Sequence, residues 1–326
     1  MFTKKLKLAI AAIGLIFVTN NNATAQQSFP DKPIRIIVPF PAGGSTDALG
    51  RIFADKLSGL LDTPVIAENV AGVSGSIAAR QVSSEKPDGY TILLGTSTNL
   101  VMYPLVSKNV SYDTLRDFDP VFLAVDLPSV VVVNPELNVH DMAGLRSHLE
   151  KNPNDGSYAT AGVGTPGHLA AELYRLKTGL PLNHVPFQGG APALLAVAGG
   201  HVKLSIAVLP DAIPYIQGDR LRALATTTAQ RPTSMPDTPT VTEAGIPGFD
   251  VYSSYGFVVP KGVPTSIIEK LNQAFQEAMK QPDTQEKLKN LGFELRGGSP
   301  QDFGKVIEQQ KEMWEKVIKD ANIIIG

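Results

Sequence analysis

Cysteine is absent from the 326 residues, which excludes disulfides, thiol nucleophiles and thiolate metal sites. It also excludes a lipid-modified N-terminus. The five histidines, His140, His148, His168, His184 and His201, fall in neither His-x-x-x-His nor His-Glu-x-x-His spacing, so no metal or other cofactor is expected. No basic run occurs and the formal charge is −2, which argues against nucleic acid as a partner. Gly-x-Ser-x-Gly is missing, although Gly72-Val73-Ser74-Gly75 comes close, and with it the strained elbow that exposes a hydroxyl nucleophile. Asp88, Asp155 and Asp211 lie near turns, where aspartate is common for local reasons. No acid–base pair stands out.

The first residues do carry a pattern. Lys4, Lys5 and Lys7 precede an apolar core from Leu8 to Val18, and Ala23-Thr24-Ala25 supplies a small-x-small site. This is an export signal over residues 1–25, with cleavage expected after Ala25. Its apolar core is too short to span a bilayer comfortably, and no later stretch is long enough. Loss of its three lysines takes the formal charge from −2 to −5. The remaining chain is near the size at which one core divides into two domains.

Alternating strands and helices follow. Ile34 to Val38 is β-branched and apolar, the mark of a buried parallel strand. Pro39 and Pro41 stop it, Gly43 and Gly44 turn it, and Ser45 and Thr46 are candidate N-caps for an amphipathic helix carrying Leu49, Ile52, Phe53 and Leu57. Strand, glycine turn and helix start together aim free amides at one spot, so Phe40, Ala42, Gly43, Gly44, Ser45, Thr46 and Asp47 form either a plain βα turn or an anion site. The dinucleotide and phosphate-loop fingerprints are missing, so a carboxylate fits as well as a phosphate. Asp47 is read as support for its helix and loop, with general base as the alternative. Tyr90 to Leu94 is a second buried strand, running into the polar loop Thr96, Ser97, Asn99. Sites in parallel sheets lie off such carboxyl ends.

Phe118 to Val133 is too long for an ordinary strand and is broken at Asp126-Leu127-Pro128, so it reads as two strands, the second opening a new domain. There the opening motif returns: strand Ser157 to Thr160, glycine loop Gly162, Gly164, then Thr165 as N-cap, Pro166 at the first helical position, Gly167 and His168. His168 is a candidate ligand contact or a solvent-facing first-turn residue. A third echo, Val185 to Gly190, includes Gln188. Residues 231–248 read as loop, and the last 65 as mostly helix, with Ser299-Pro300-Gln301-Asp302 starting a final helix that packs across the first domain.

These segments taken together resemble a known family. Pro33 to Phe40 with Ala42-Gly43-Gly44 and Asp47, Pro87-Asp88-Gly89-Tyr90-Thr91, Thr160-Ala161-Gly162 with Gly164-Thr165 and His168-Leu169, His184 to Phe187 with Gly189 to Leu194, and Leu221 to Ala225 are similar to the Bug-type periplasmic solute-binding proteins of tripartite tricarboxylate transporters. The resemblance implies an α/β type II periplasmic-binding fold, with two doubly wound α/β domains and a ligand cleft between them. Domain 1 would comprise residues 26–125 plus 226–326 and domain 2 residues 126–225, hinged near Asp126 and Thr226. It further implies a periplasmic, monomeric, non-catalytic protein that binds a small organic carboxylate and serves the permease subunits of such a transporter, or alternatively a sensor kinase. A hydrolase or isomerase using His168 or Asp47 is the rival class. Many relatives carry an acid where this chain has Ala207-Val208; Ala207 would border the cleft, and the missing acid points to a ligand without an amine.

Overall fold

The computed structural model describes residues 29–321 and Ile323. The expected export signal lies outside the described residues. Apolar β-branched runs and amphipathic stretches alternate as β1 (Ile34–Val38), α1 (Ser45–Leu60), β2 (Val65–Asn69), α2 (Ser76–Ser83) and β3 (Thr91–Thr96). A π-helical turn, Thr98–Met102, leads into α3 (Tyr103–Val106), α4 (Thr114–Asp117) and β4 (Phe118–Val133). The chain continues through α5 (Met142–Lys151), β5 (Ser157–Thr160), α6 (Pro166–Thr178), β6 (Asn183–Pro186), α7 (Gly190–Ala198), β7 (Leu204–Val208), α8 (Leu209–Gln217) and β8 (Arg222–Thr226). It ends with β9 (Tyr252–Pro260), α9 (Thr265–Lys280), α10 (Pro282–Asn290), β10 (Glu294–Gly298) and α11 (Pro300–Ala321). Residues 231–248 hold turns, without helix or strand.

The sheet runs β2-β1-β3-β9-β4-β7-β5-β6, with β8 and β10 also paired to β4. Strands β1, β2 and β3 are mutually parallel, as are β5, β6 and β7, whereas β9, β8 and β10 run antiparallel to β4. The sheet is therefore mixed, a correction to the parallel sheet expected above. Parallel βαβ units build its two flanks, and the chain passing between them runs back alongside itself in the middle.

A second correction concerns Phe118–Val133, which is one continuous strand. Proline has an extended-compatible φ, so Pro128 is accommodated rather than ending the strand. The change of partner nonetheless falls there: Phe118 to Pro128 pair with β9, and Ser129 to Val133 with β7 and β8. Each flank has its own apolar filling. Phe53, Phe122, Phe257 and Phe275 pack beneath α1 and α9, with the Phe257 and Phe275 rings stacked 4.2 Å apart. Val130, Val132, Leu194, Val197 and Leu209 pack beneath α7 and α8.

Helix α11 starts as expected, the Ser299 hydroxyl and the Asp302 carboxylate capping each other's amides at 3.2 and 2.8 Å. Its apolar stripe, including Phe303, Ile307 and Trp314, is buried. It rests on β4 and α3 but also on α6, so it straps both flanks rather than the first alone.

Candidate functional site

Helix α1 begins at Gly44, which takes the N-cap position without a side-chain bond; Ser45 and Thr46, expected to cap, are the first helical residues. What shapes this loop is Asp47. Its carboxylate accepts hydrogen bonds from the Gly43 amide (3.0 Å), Arg51 Nε (3.0 Å) and Asn69 Nδ2 (2.9 Å), and the same Asn69 nitrogen donates to the Phe40 carbonyl (3.0 Å). Burial opposes ionisation, but the bonds from Arg51, Gly43 and Asn69 outweigh it and hold the Asp47 carboxyl below its ordinary range. The cleft face of the turn is left to the first-turn amides of α1, which have no partner within the helix.

The second loop is organised the same way from within. Thr165 caps α6 by position, yet its hydroxyl donates to the Gly162 carbonyl (2.7 Å) and not to the helix. Thr160 Oγ1 lies 2.6 Å from His184 Nε2, and the Gly164 amide donates to His168 Nδ1 (3.2 Å). The two imidazoles stack with centroids 4.1 Å apart, and Tyr158 stacks on the far side of His184 at 5.0 Å. Burial lowers both histidines, His184 to about 3 with the neighbouring His168 adding to the shift, so both rings are neutral at physiological pH. His168 is thus neither solvent-facing nor a lining group. It holds its own loop.

These loops meet across a cavity of ≈ 50 Å³, room for a few water molecules or a small acid. Of the residues expected at the site, Phe40, Ala42, Gly44, Ser45, Thr46, Thr165, Pro166, Gly167 and Ala207 line it. Gly43, Asp47, Gly162, Gly164 and His168 stand behind the lining as the loops' internal frame. Gln188 is exposed, and Gly189 and Gly190 beside it reach the cavity instead. Thr96, Ser97 and Asn99 turn inward: Asn99 Oδ1 accepts from the Thr96 amide (2.8 Å), and Ser97 Oγ from the Ser254 amide (2.7 Å). What was read as a polar loop is the end of β3 and a π-helical turn, and Thr98 is its lining member.

Among the lining groups that were not anticipated are two with titratable side chains. Tyr255, from the middle of β9, is buried, and burial pushes its phenol above the ordinary range. Asp211, in the first turn of α8, reaches across the cleft and accepts a 2.7 Å hydrogen bond from the Ser45 amide. Burial raises its carboxyl while the Ser45 amide works against that rise. An acid thus borders the cleft one turn after Ala207-Val208, although neither of those two positions supplies one. The rule that sites gather off strand carboxyl ends, applied to β7, would have pointed to it. A further contact, Ser74 Oγ to the Val163 carbonyl at 2.5 Å, also bridges the two flanks. Among the described residues no three His, Asp or Glu side chains gather as a metal site, and no helix is long and apolar enough to cross a membrane.

Comparison with known proteins gives the site its context. The profile of the tripartite tricarboxylate transporter family receptor matches residues 49–323. The protein BugT of Bordetella pertussis is 32% identical over 315 residues, which cover 96% of this chain and 97% of BugT. Among solved structures, R. palustris Rpa4515 with adipate is 36% identical, with a TM-score of 0.88 over 91% of this chain and 99% of that one. MatC from Rhodopseudomonas palustris, with bound malate, is 28% identical, with a TM-score of 0.85 over 89% and 100% of the two chains.

Proposed function

The chain belongs to the tripartite tricarboxylate transporter receptor family, and from that premise we propose that it captures a small organic carboxylate in its cleft and hands it to a membrane permease of that transporter type. One observation carries the reading: the helix starts of α1 and α6, each behind a glycine turn braced from within, face one cavity from opposite flanks. Helix N-termini favour anions through their free amides and dipole. The adipate and malate bound by the two similar structures support a carboxylate as the anion.

In this reading residues 126–225 move as one body against residues 26–125 plus 226–326. The hinge lies near Asp126 and Thr226, close to where β4 changes partners and the chain leaves β8, and beside the 2.9 Å backbone bond from the Thr227 amide to the Ser129 carbonyl. The protein acts as a monomer in the periplasm after removal of residues 1–25, and it releases its ligand unchanged.

A thermal-shift screen of mono-, di- and tricarboxylates against sugars and amines tests the proposal. A ligand at about 100 times its dissociation constant adds about 2.7 kcal/mol to stability, so at least one acid is expected to raise the melting temperature. Stabilisation by sugars or amines alone would sink the carboxylate reading. Chemical conversion of a bound acid, followed by mass spectrometry, would sink the non-catalytic one.

A further inference from the structure

One anion position in the cleft is already taken by the protein itself. The Asp211 carboxylate comes from the second flank and sits on the Ser45 amide of the first, 2.7 Å away and 166 positions earlier in sequence. Oδ1 takes that bond, while Oδ2 faces Gly190 so closely that a Cβ there would lie 1.9 Å from it. The carboxylate is therefore wedged between the helix starts of α1 and α7, and it lines the cavity. Beside it lies the buried Ser45 hydroxyl, close enough to the carboxylate to favour its ionised form although it makes no bond of full geometry.

A second carboxylate pressed against this one would set like charges together in a poorly solvated place, which is costly. A hydroxyl or ammonium would instead donate to Oδ2 and satisfy it. Resting on the carboxylate reading above, we propose that Asp211 is the specificity-determining residue of the cleft, selecting carboxylic acids that also carry a hydroxyl or ammonium donor over unsubstituted ones. Burial disfavours the ionised Asp211 carboxylate and the hydrogen bonds from Ser45 favour it, so a donor on the ligand adds to what Ser45 already supplies. Gly190 belongs to the same device, because any side chain there would displace the carboxylate.

Titration calorimetry with acids matched in skeleton tests the proposal: succinate, malate and aspartate at four carbons, adipate and 2-aminoadipate at six. The wild-type protein is expected to bind a substituted member at least about tenfold more tightly than its unsubstituted parent, since a hydrogen bond to a charged group is worth at least about that much. The hydroxyl and amino arms tell the two donors apart. In Asp211→Asn and Asp211→Ser, each checked for cooperative melting, the preference should collapse and the unsubstituted acid should gain. Wild-type binding of succinate or adipate as tightly as its substituted partners would overturn the proposal, as would retention of the preference in both folded variants. Failure of every acid to bind would instead overturn the carboxylate reading on which it rests, so the two failures are distinguishable.

Discussion

At the scale of single residues, the cleft depends on polar groups that stand behind its lining. Asp47 braces the first loop with three hydrogen bonds, two from neutral groups and one from a guanidinium. Asp47→Ala is expected to cost about 2 kcal/mol of unfolding free energy, the usual scale for a hydrogen-bonded charge, and to weaken ligand binding as the turn loosens. Denaturant titration of the variant beside wild type checks the first part; an unchanged midpoint would show that the brace is idle. The histidine pair makes a pH prediction. His184 is held neutral with a folded pKa of about 3, below the ordinary ~6.5 of an unfolded chain. The unfolded state therefore takes up the proton first as pH falls. Stability is full above about 6.5 and declines as pH drops toward 3, at up to about 1.4 kcal/mol per pH unit for one such group. Unfolding free energies at pH 7.5, 6.5 and 5.5 should fall over the lower interval, and less steeply in His184→Gln. A flat profile in wild type would contradict the neutral histidine pair.

At the scale of elements, two close approaches set the geometry of the cleft. Helix α6 lies so near β7 that a Cβ on Gly167 would come within 1.9 Å of the Ile206 carbonyl. Gly167→Ala is expected to destabilise by about 2–3 kcal/mol through overpacking and to pull α6 out of the site. Gly190→Ala should cost much less once Asp211 is Ser, because the obstruction is that carboxylate; a double-mutant cycle should give a coupling of at least about 1 kcal/mol. Additive effects would mean that Gly190 serves only the backbone.

Local pattern made much of this visible in advance. The apolar run of β1, the glycine turns and the Thr165-Pro166 helix start are short-range chemistry, read from neighbours a few positions apart. The same holds for the capping pair Ser299 and Asp302. What escaped was decided at long range. Asp211 looks like any aspartate near a turn until α8 is folded against the start of α1. Tyr255 is one residue in a buried strand, and only the register of β9 turns it toward the cavity. His168 was given a contact role because its packing against His184, sixteen residues away, is not written in either neighbourhood. The strand β10 was missed because Glu294-Leu295-Arg296-Gly297-Gly298 has little strand propensity of its own, and it forms by pairing with β4.

At the scale of the whole molecule, the two flanks are joined by β4, by the return through β8 and β9, and by the strap of α11. Across the cleft they touch through Ser45 with Asp211 and Ser74 with Val163, two polar contacts, neither of them an apolar seam that would hold the flanks at one fixed separation. Closure on a ligand should therefore lower the radius of gyration in small-angle scattering relative to the ligand-free protein. Equal values would argue for a rigid receptor. The central claim is that helix-start amides of α1 and α6 bind a carboxylate, and calorimetry with small acids beside their uncharged primary amides tests it most directly. The account predicts saturable heat with at least one acid and none with the amide of the same skeleton. Binding of the amide as tightly as the acid, or of no acid at all, would contradict it.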